Sequence, residues 1–125
     1  MKIYLCGPIG GCTDEECKNW RDMVTEHGYD TIDPMRRDYR GRKGDFSKEI
    51  VEGDKIDIFQ SDVLLVNYNR PSVGTSMEIL FAWEQNKTII LVSPPGIVLS
   101  PWLKYHSHYI VDSFPKAFLI LNTYE

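Results

Sequence analysis

The chain has 125 residues, 42% of them hydrophobic and 26% charged, and a formal net charge of −4. That length holds one packed core and a single domain, 1–125, and the ordinary composition excludes a disordered, collagen-like or disulfide-scaffold protein. No apolar run exceeds five residues, and Met1–Leu5 meets Cys6-Gly7-Pro8 without the apolar stretch of a signal peptide, so a cytoplasmic protein without membrane contact is expected.

In chain order, Ile3–Cys6 is a short apolar run closed by Gly7-Pro8 and Gly10-Gly11, which predicts a buried strand and a tight turn. Thr13 and Glu16 form a capping-box pattern, and Cys17, Trp20, Met23 and Val24 continue it at helical spacing until His27-Gly28. Tyr29–Ile32 reads as a second strand, followed by a basic loop. The helical period returns from Phe46 to Gln60. Val63–Val66 is an uninterrupted apolar strand, as expected where helices cover both faces of a parallel sheet. Tyr68–Gly74 is a loop and Thr75–Asn86 a helix with Ile79, Leu80 and Trp83 inward. Thr88–Val92 is the fourth strand, Ser93–Gly96 a turn, and Ser100–His106 a short helical or irregular piece. His108–Val111 is the fifth strand and Phe114–Thr123 the closing helix.

Strands alternating with helices predict an α/β fold: a doubly wound, five-stranded parallel sheet of flavodoxin-like order 2-1-3-4-5 with helices on both faces. Ligands in such sheets sit beyond the carboxyl ends of the strands where the order reverses, here between the first and third strands. The site is therefore expected between the Gly7–Gly11 and Tyr68–Gly74 loops.

Three cysteines, Cys6, Cys12 and Cys17, make a poor disulfide framework, and no histidine stands at a spacing that completes a zinc site. Reduced thiols and no metal are the expectation. Residues 36–43 carry five basic groups and one acid, leaving −8 on the rest of the chain. A basic loop on an acidic body suits a small anionic ligand or a regulatory contact rather than nucleic acid, which needs a basic face. A merely solvated loop is the equal rival.

Three features carry possible chemistry. In Arg70–Glu78, a Gly before a helix start leaves free N–H groups suited to a phosphate, with Ser72 as an added donor. Glu78 would face the same crevice, although Thr75-x-x-Glu78 reads equally well as a capping box. Neither a Walker A lysine nor the dinucleotide fingerprint is present. Asp54 shares a four-residue spacing with Phe46, Ile50 and Ile58, which puts its carboxylate on an interior-facing stripe, functional or simply satisfied by a neighbour. Tyr4 shares a strand face with Cys6 and either reaches a carboxylate at the crevice or packs in the core.

Tyr4–Gly11, Asp54 with Ser61-Asp62-Val63, and Pro71–Glu78, in that order and spacing, resemble the nucleoside 2-deoxyribosyltransferase superfamily from residue 2 to about residue 100. Within it they resemble the 2′-deoxynucleoside 5′-monophosphate N-hydrolases. Ser72, six residues before the glutamate, stands where transferases of free nucleosides usually hold an Asp, which would repel a 5′-phosphate.

The resemblance implies a glycosidase that cleaves nucleoside 5′-monophosphates to free base and (deoxy)ribose 5-phosphate without a metal or organic cofactor. Glu78 would attack C1′, Asp54 would assist base departure or orient the sugar, and Tyr4 would hold the glutamate. Gly7, Ile9, Gly10, Ile50, Ser72 and Gly74 would line the nucleotide pocket. Ser100 would reach the phosphate of a neighbouring subunit's site, implying a homodimer or larger homo-oligomer with shared sites. The animal-type hydrolases carry an arginine at the position of Gly10, whose place Arg36, Arg37 or another group of the basic loop would take. Pro8 is more typical of the transferase branch. A base-exchanging transferase and a non-catalytic nucleotide-binding protein are the alternatives.

Overall fold

The computed structural model describes residues 1–124; Glu125, the last residue of the expected domain, lies outside the described residues. Five parallel strands, β1 (Lys2–Cys6), β2 (Asp30–Ile32), β3 (Val63–Asn67), β4 (Thr88–Val92) and β5 (Tyr109–Val111), form one sheet in the order β2-β1-β3-β4-β5. Between and after them lie α1 (Asp14–Glu26), α2 (Ser47–Gln60), α3 (Val73–Glu84), α4 (Pro101–Tyr105) and α5 (Phe114–Asn122). The expected α/β class and strand order are the observed ones.

Alternation along the strands builds two cores. Ile3 and Leu5 of β1, with Val63, Leu65, Ile90 and Val92, pack beneath Trp20 and Val24 of α1 and Phe118 and Leu121 of α5. Tyr4 and Cys6 point to the other face, with Leu64, Val66, Ile89 and Leu91, against Ile58 of α2, Ile79 and Ala82 of α3 and Leu103 of α4. Strand residues one apart face opposite sides, so this parity alone delivers Tyr4 and Cys6 to the α2–α3 side.

The ends of the helices explain where they begin. At α1 both halves of the capping box form: Thr13 Oγ1 accepts from Glu16 N at 3.2 Å, and Glu16 Oε1 accepts from Thr13 N at 3.0 Å. At α3 the cap is Ser72, whose Oγ accepts from Thr75 N at 3.3 Å. The helix thus starts two residues earlier than expected, and the Thr75–Glu78 capping box does not form. A serine hydroxyl preceding a β-region exit outcompetes Thr75, which lies buried inside the first turn. Of the expected inward face, Ile79 is buried and Trp83 packs against the core, stacking on His108 at 4.8 Å, whereas Leu80 borders a cavity. In α2 the row Phe46, Ile50, Asp54, Ile58 reaches the core only at Ile58, because the N-terminal half overhangs that same cavity. The basic loop begins as a single 3₁₀ turn, Pro34–Arg36, capped by Asp33, whose Oδ1 accepts from Met35 N at 2.8 Å.

Arg21 of α1 is completely buried, a placement rare for arginine unless fully paired. It donates to the carbonyls of Leu5 (3.4 Å), Gly7 (3.1 Å) and Cys17 (2.5 Å), lies 3.6 Å from Asp33, and covers the Trp20 ring at 4.6 Å. One side chain therefore pins the main chain where β1 leaves the sheet. Gly7 is required there: a Cβ would come 3.0 Å from Trp20 Cζ2 and 3.2 Å from the Asn67 carbonyl, and backbone cannot yield. Arg21→Met removes the donor to those carbonyls and the cation beside Asp33, and urea denaturation should show a loss of about 3 kcal/mol.

Candidate active site

A cavity of about 700 Å³ opens beyond the carboxyl ends of β1 and β3, the expected crevice, and is of a size for a nucleotide-sized ligand. Gly7, Ile9 and Gly10 form one edge, and Ser72, Gly74, Thr75 and Met77 of the α3 start form another. Ile50, Val51 and Asp54 of α2 face them, and Pro34, Arg37, Tyr39 and Arg40 close the remaining side. Of the residues singled out in the sequence, Gly7, Ile9, Gly10, Ile50, Asp54, Ser72, Gly74, Glu78 and Arg37 are brought together around this space. Arg36 and Ser100 are not. Arg36 turns to Asp57 at 2.7 Å, and Ser100 caps α4 by accepting from Leu103 N.

Glu78, in the second turn of α3, lines the cavity. Its Oε2 accepts from the Tyr4 hydroxyl at 2.6 Å, a short bond between fully buried Tyr4 on β1 and the facing helix. Burial, and then the Glu78 and Cys6 charges, push the phenol far above its ordinary value, so it remains a donor at any physiological pH. Cys6, two residues along the same face, is also fully buried; burial first, then Glu78, holds its thiol well above its ordinary value. Its Sγ lies 4.0 Å from the Thr75 carbonyl, one turn before Glu78.

The two acids are coupled. Burial pushes Glu78 up to about 8, the Asp54 charge adds to this, and the Tyr4 hydrogen bond opposes it. Burial also raises Asp54; Arg37 opposes that rise, and Tyr4 bears on this carboxyl too. Two acids in one desolvated space resist ionising together, so the pair retains a proton at neutral pH.

Arg36, Arg37 and Arg40 of the basic loop are paired within the fold, whereas Arg42 and Lys43 stand exposed. Arg37 Nη2 lies 2.7 Å from Asp57 Oδ2 and 3.4 Å from Asp54 Oδ1, and Arg36 binds the other oxygen of Asp57. Burial acts to raise Asp57, but the hydrogen bonds from Arg36 and Arg37 outweigh it and hold the carboxyl below its usual range. Arg40 bonds Asp38, Asp14 and the Cys12 carbonyl. Arg42 lies over the Tyr39 and Phe46 rings.

Sequence reasoning missed Asp57 and Arg21, gave Tyr39 and Arg40 no role beyond membership of the basic loop, and read Thr75 only as a cap. Asp57 stands one helical step off the four-residue stripe, and its partners are 20 residues away or more. Thr75 carries a buried hydroxyl without a hydrogen-bond partner among the described residues. Among those residues no group of three or more His, Cys, Asp or Glu is arranged to hold a metal ion, and no helix is long and apolar enough to cross a membrane.

The model of the family described as nucleoside 2-deoxyribosyltransferase matches residues 3–116. The chain belongs to that family. Among its relatives, the 5-hydroxymethyl-dUMP N-hydrolase of Danio rerio is 30% identical over 116 residues, covering 83% of this chain and 78% of the relative. The protein of the same name from Tetraodon nigroviridis is 27% identical over 105 residues, covering 77% and 72%. A 2-deoxyribosyltransferase from Bacillus psychrosaccharolyticus shares the fold of this family member with a TM-score of 0.74 at 17% identity, covering 94% of this chain and 90% of its own. A CMP N-glycosidase from Clostridium botulinum does so with a TM-score of 0.64 at 19% identity, covering 98% and 99%.

A raised Glu78 has a thermodynamic sign. Between the ordinary carboxyl range and about 8 the folded protein holds a proton that the unfolded chain releases, so stability falls as pH rises through that window. Glu78→Gln removes the penalty while still accepting from Tyr4. Its Tm relative to the parent should rise by at least about 3 °C from pH 5 to pH 9 in calorimetry; an unchanged difference would exclude the shift.

Proposed function

We propose that this protein hydrolyses the N-glycosidic bond of (2′-deoxy)nucleoside 5′-monophosphates, releasing free base and (deoxy)ribose 5-phosphate. The carrying observation is the placement of the Glu78 carboxyl, hydrogen-bonded to Tyr4, on the same helix whose N-terminus borders the cavity. The first turn of α3 has amides without intrahelical partners and the positive end of the helix dipole, the setting for a phosphate. Glu78 follows roughly 8 Å along the axis, the span of a furanose and its phosphate ester. Ser72 keeps that entrance free of negative charge. The N-hydrolase and N-glycosidase names of the relatives support the same reading.

In this mechanism Tyr4 orients the Glu78 carboxylate for attack on C1′. The C1′–N bond breaks as the Glu78 oxygen–C1′ bond forms, through an oxocarbenium-like transition state. The electron pair leaves with the base, which takes the proton held by the carboxyl pair through Asp54. Water then attacks C1′, releases the sugar phosphate and restores the pair to one proton. Gly7, Ile9 and Gly10 would bound the sugar; Ile50 and Asp54 would lie beside the base.

Incubation with each ribo- and deoxyribonucleoside monophosphate should release free base, and Glu78→Ala should lower kcat by at least about 10³-fold. Unphosphorylated nucleosides with an acceptor base should not react; exchange there would establish a transferase instead. Tight nucleotide binding without base release would establish a binding protein. Because the pair acts with one proton, kcat/KM should be bell-shaped, with its alkaline limb near 8 in the free enzyme. A rate that rises through 8 and stays flat would exclude the shared proton.

The reading extends to a homodimer. Ser100 lies outside its own chain's cavity, and Val98, Trp102 and Tyr105 around it are exposed, as are Val73 and Met77 on α3. Exposed apolar side chains of this kind suit an assembly face, from which Ser100 would reach the neighbouring site. Light scattering should give twice the chain mass, and Trp102→Glu should give monomers with reduced turnover.

A further inference from the structure

Asp54 and Glu78 are both carboxyl groups in one cavity, and a mechanism that passes one proton between them needs their environments to differ. The described structure gives the two acids different partners. The Arg37 guanidinium reaches Asp54 at 3.4 Å, whereas Glu78 meets Tyr4. Arg37 does not reach Asp54 freely. Its Nη2 is anchored 2.7 Å from Asp57, which is almost wholly buried in α2 and is gripped on its other oxygen by Arg36.

Its path crosses α2 at Gly53. A Cβ there would come within 3.0 to 3.1 Å of Nη2, Cζ and Nε of Arg37. A glycine in the interior of a helix is unfavourable by about 1 kcal/mol relative to alanine, so its presence under a guanidinium has a packing reason: it is the slot in which Arg37 lies flat. Asp57, Gly53 and Asp54 are thus consecutive fittings along one face of α2 for a single side chain.

Resting on the reaction proposed above, we propose that Arg37 is a positioning residue for Asp54, seated on Asp57 and admitted by Gly53, and is not a ligand of the substrate phosphate. Its charge favours the anionic form of Asp54, which leaves the proton of the free pair on Glu78 until substrate enters. The other groups bearing on Asp54 are Tyr4 and Cys6 of β1, Glu78 of α3, and its α2 neighbour Asp57; Lys55, next in sequence, borders the cavity and lies over the Phe81 ring. Arg37 is the cation that touches Asp54.

The test has two independent readouts. In the free protein, the Asp54 carboxyl is followed by carbon NMR against pH in the parent, Arg37→Met, Arg36→Met and Gly53→Ala. An opposite charge at this distance holds a carboxyl down by about one unit or more, so Arg37→Met should raise the Asp54 midpoint by that amount and Arg36→Met by less. Gly53→Ala pushes the guanidinium aside by a few tenths of an ångström while favouring the helix; it should move the midpoint in the same direction by a smaller step without loss of Tm. In turnover, Arg37→Met should lower kcat and shift the acid limb upward, with the KM for monophosphates unchanged to within about threefold, a binding difference under 1 kcal/mol. An unmoved Asp54 midpoint in Arg37→Met, or a loss confined to KM for phosphorylated substrates, overturns the proposal. Absence of base release by the parent enzyme would overturn the reaction instead, and the NMR titration would still decide the role of Arg37.

Discussion

A carboxyl group set against the interior must be met by donors that hold it without ionising, and β1 meets Glu78 with Tyr4 and Cys6. Burial keeps both of these groups protonated, so they face the acid as fixed dipoles and add no charge of their own. The arrangement needs β1 at the centre of the sheet, beside β3, with its even-numbered residues turned towards α3. It also needs the strand to stop at Gly7, so that the chain clears Trp20 and the crevice opens next to the acid. The desolvation that raises Glu78 is the same desolvation that strengthens every interaction made with a developing charge in the cavity.

Much of this could be read from residue order. Uninterrupted apolar runs such as Val63–Val66 announce strands covered on both faces, and the turns after Cys6 and Asn67 announce the crevice. The faces on which Tyr4 and Asp54 stand were legible because strand parity and helical spacing are local rules, while the roles of Tyr4, Asp54 and Glu78 came only with the family resemblance. Ser72 against Thr75 was not legible: both are competent caps, and the choice depends on the backbone angles at the exit from β3. The row containing Asp54 was found, but its surroundings were misjudged, since periodicity says which residues share a face and is silent on whether that face meets core or cavity. Asp57, Gly53 and Arg21 were invisible for a related reason. Their partners are carbonyls and guanidinium groups brought in from distant segments, and no spacing encodes such a meeting.

The charge pattern illustrates how far composition carries. The excess of positive charge over residues 36–43 is real, yet most of it is answered within the fold: Arg36 and Arg37 by Asp57, Arg40 by Asp38 and Asp14. What looked like a free basic loop is a wall of the cavity, fastened to α1 and α2 by ion pairs whose carboxylates lie far along the chain. Counting charges located the segment correctly and misjudged its availability.

The grip of Arg21 on the β1 exit uses carbonyl oxygens alone from that segment, those of Leu5 and Gly7. Main-chain atoms are present whatever side chains stand beside them. The conformation of this edge of the cavity is therefore insulated from the identity of Pro8 and Ile9, and substitution of Ile9, which lines the cavity, can reshape that edge without loosening the frame that presents it. A fold anchored in this way separates the part that must stay constant from the part that is free to diverge.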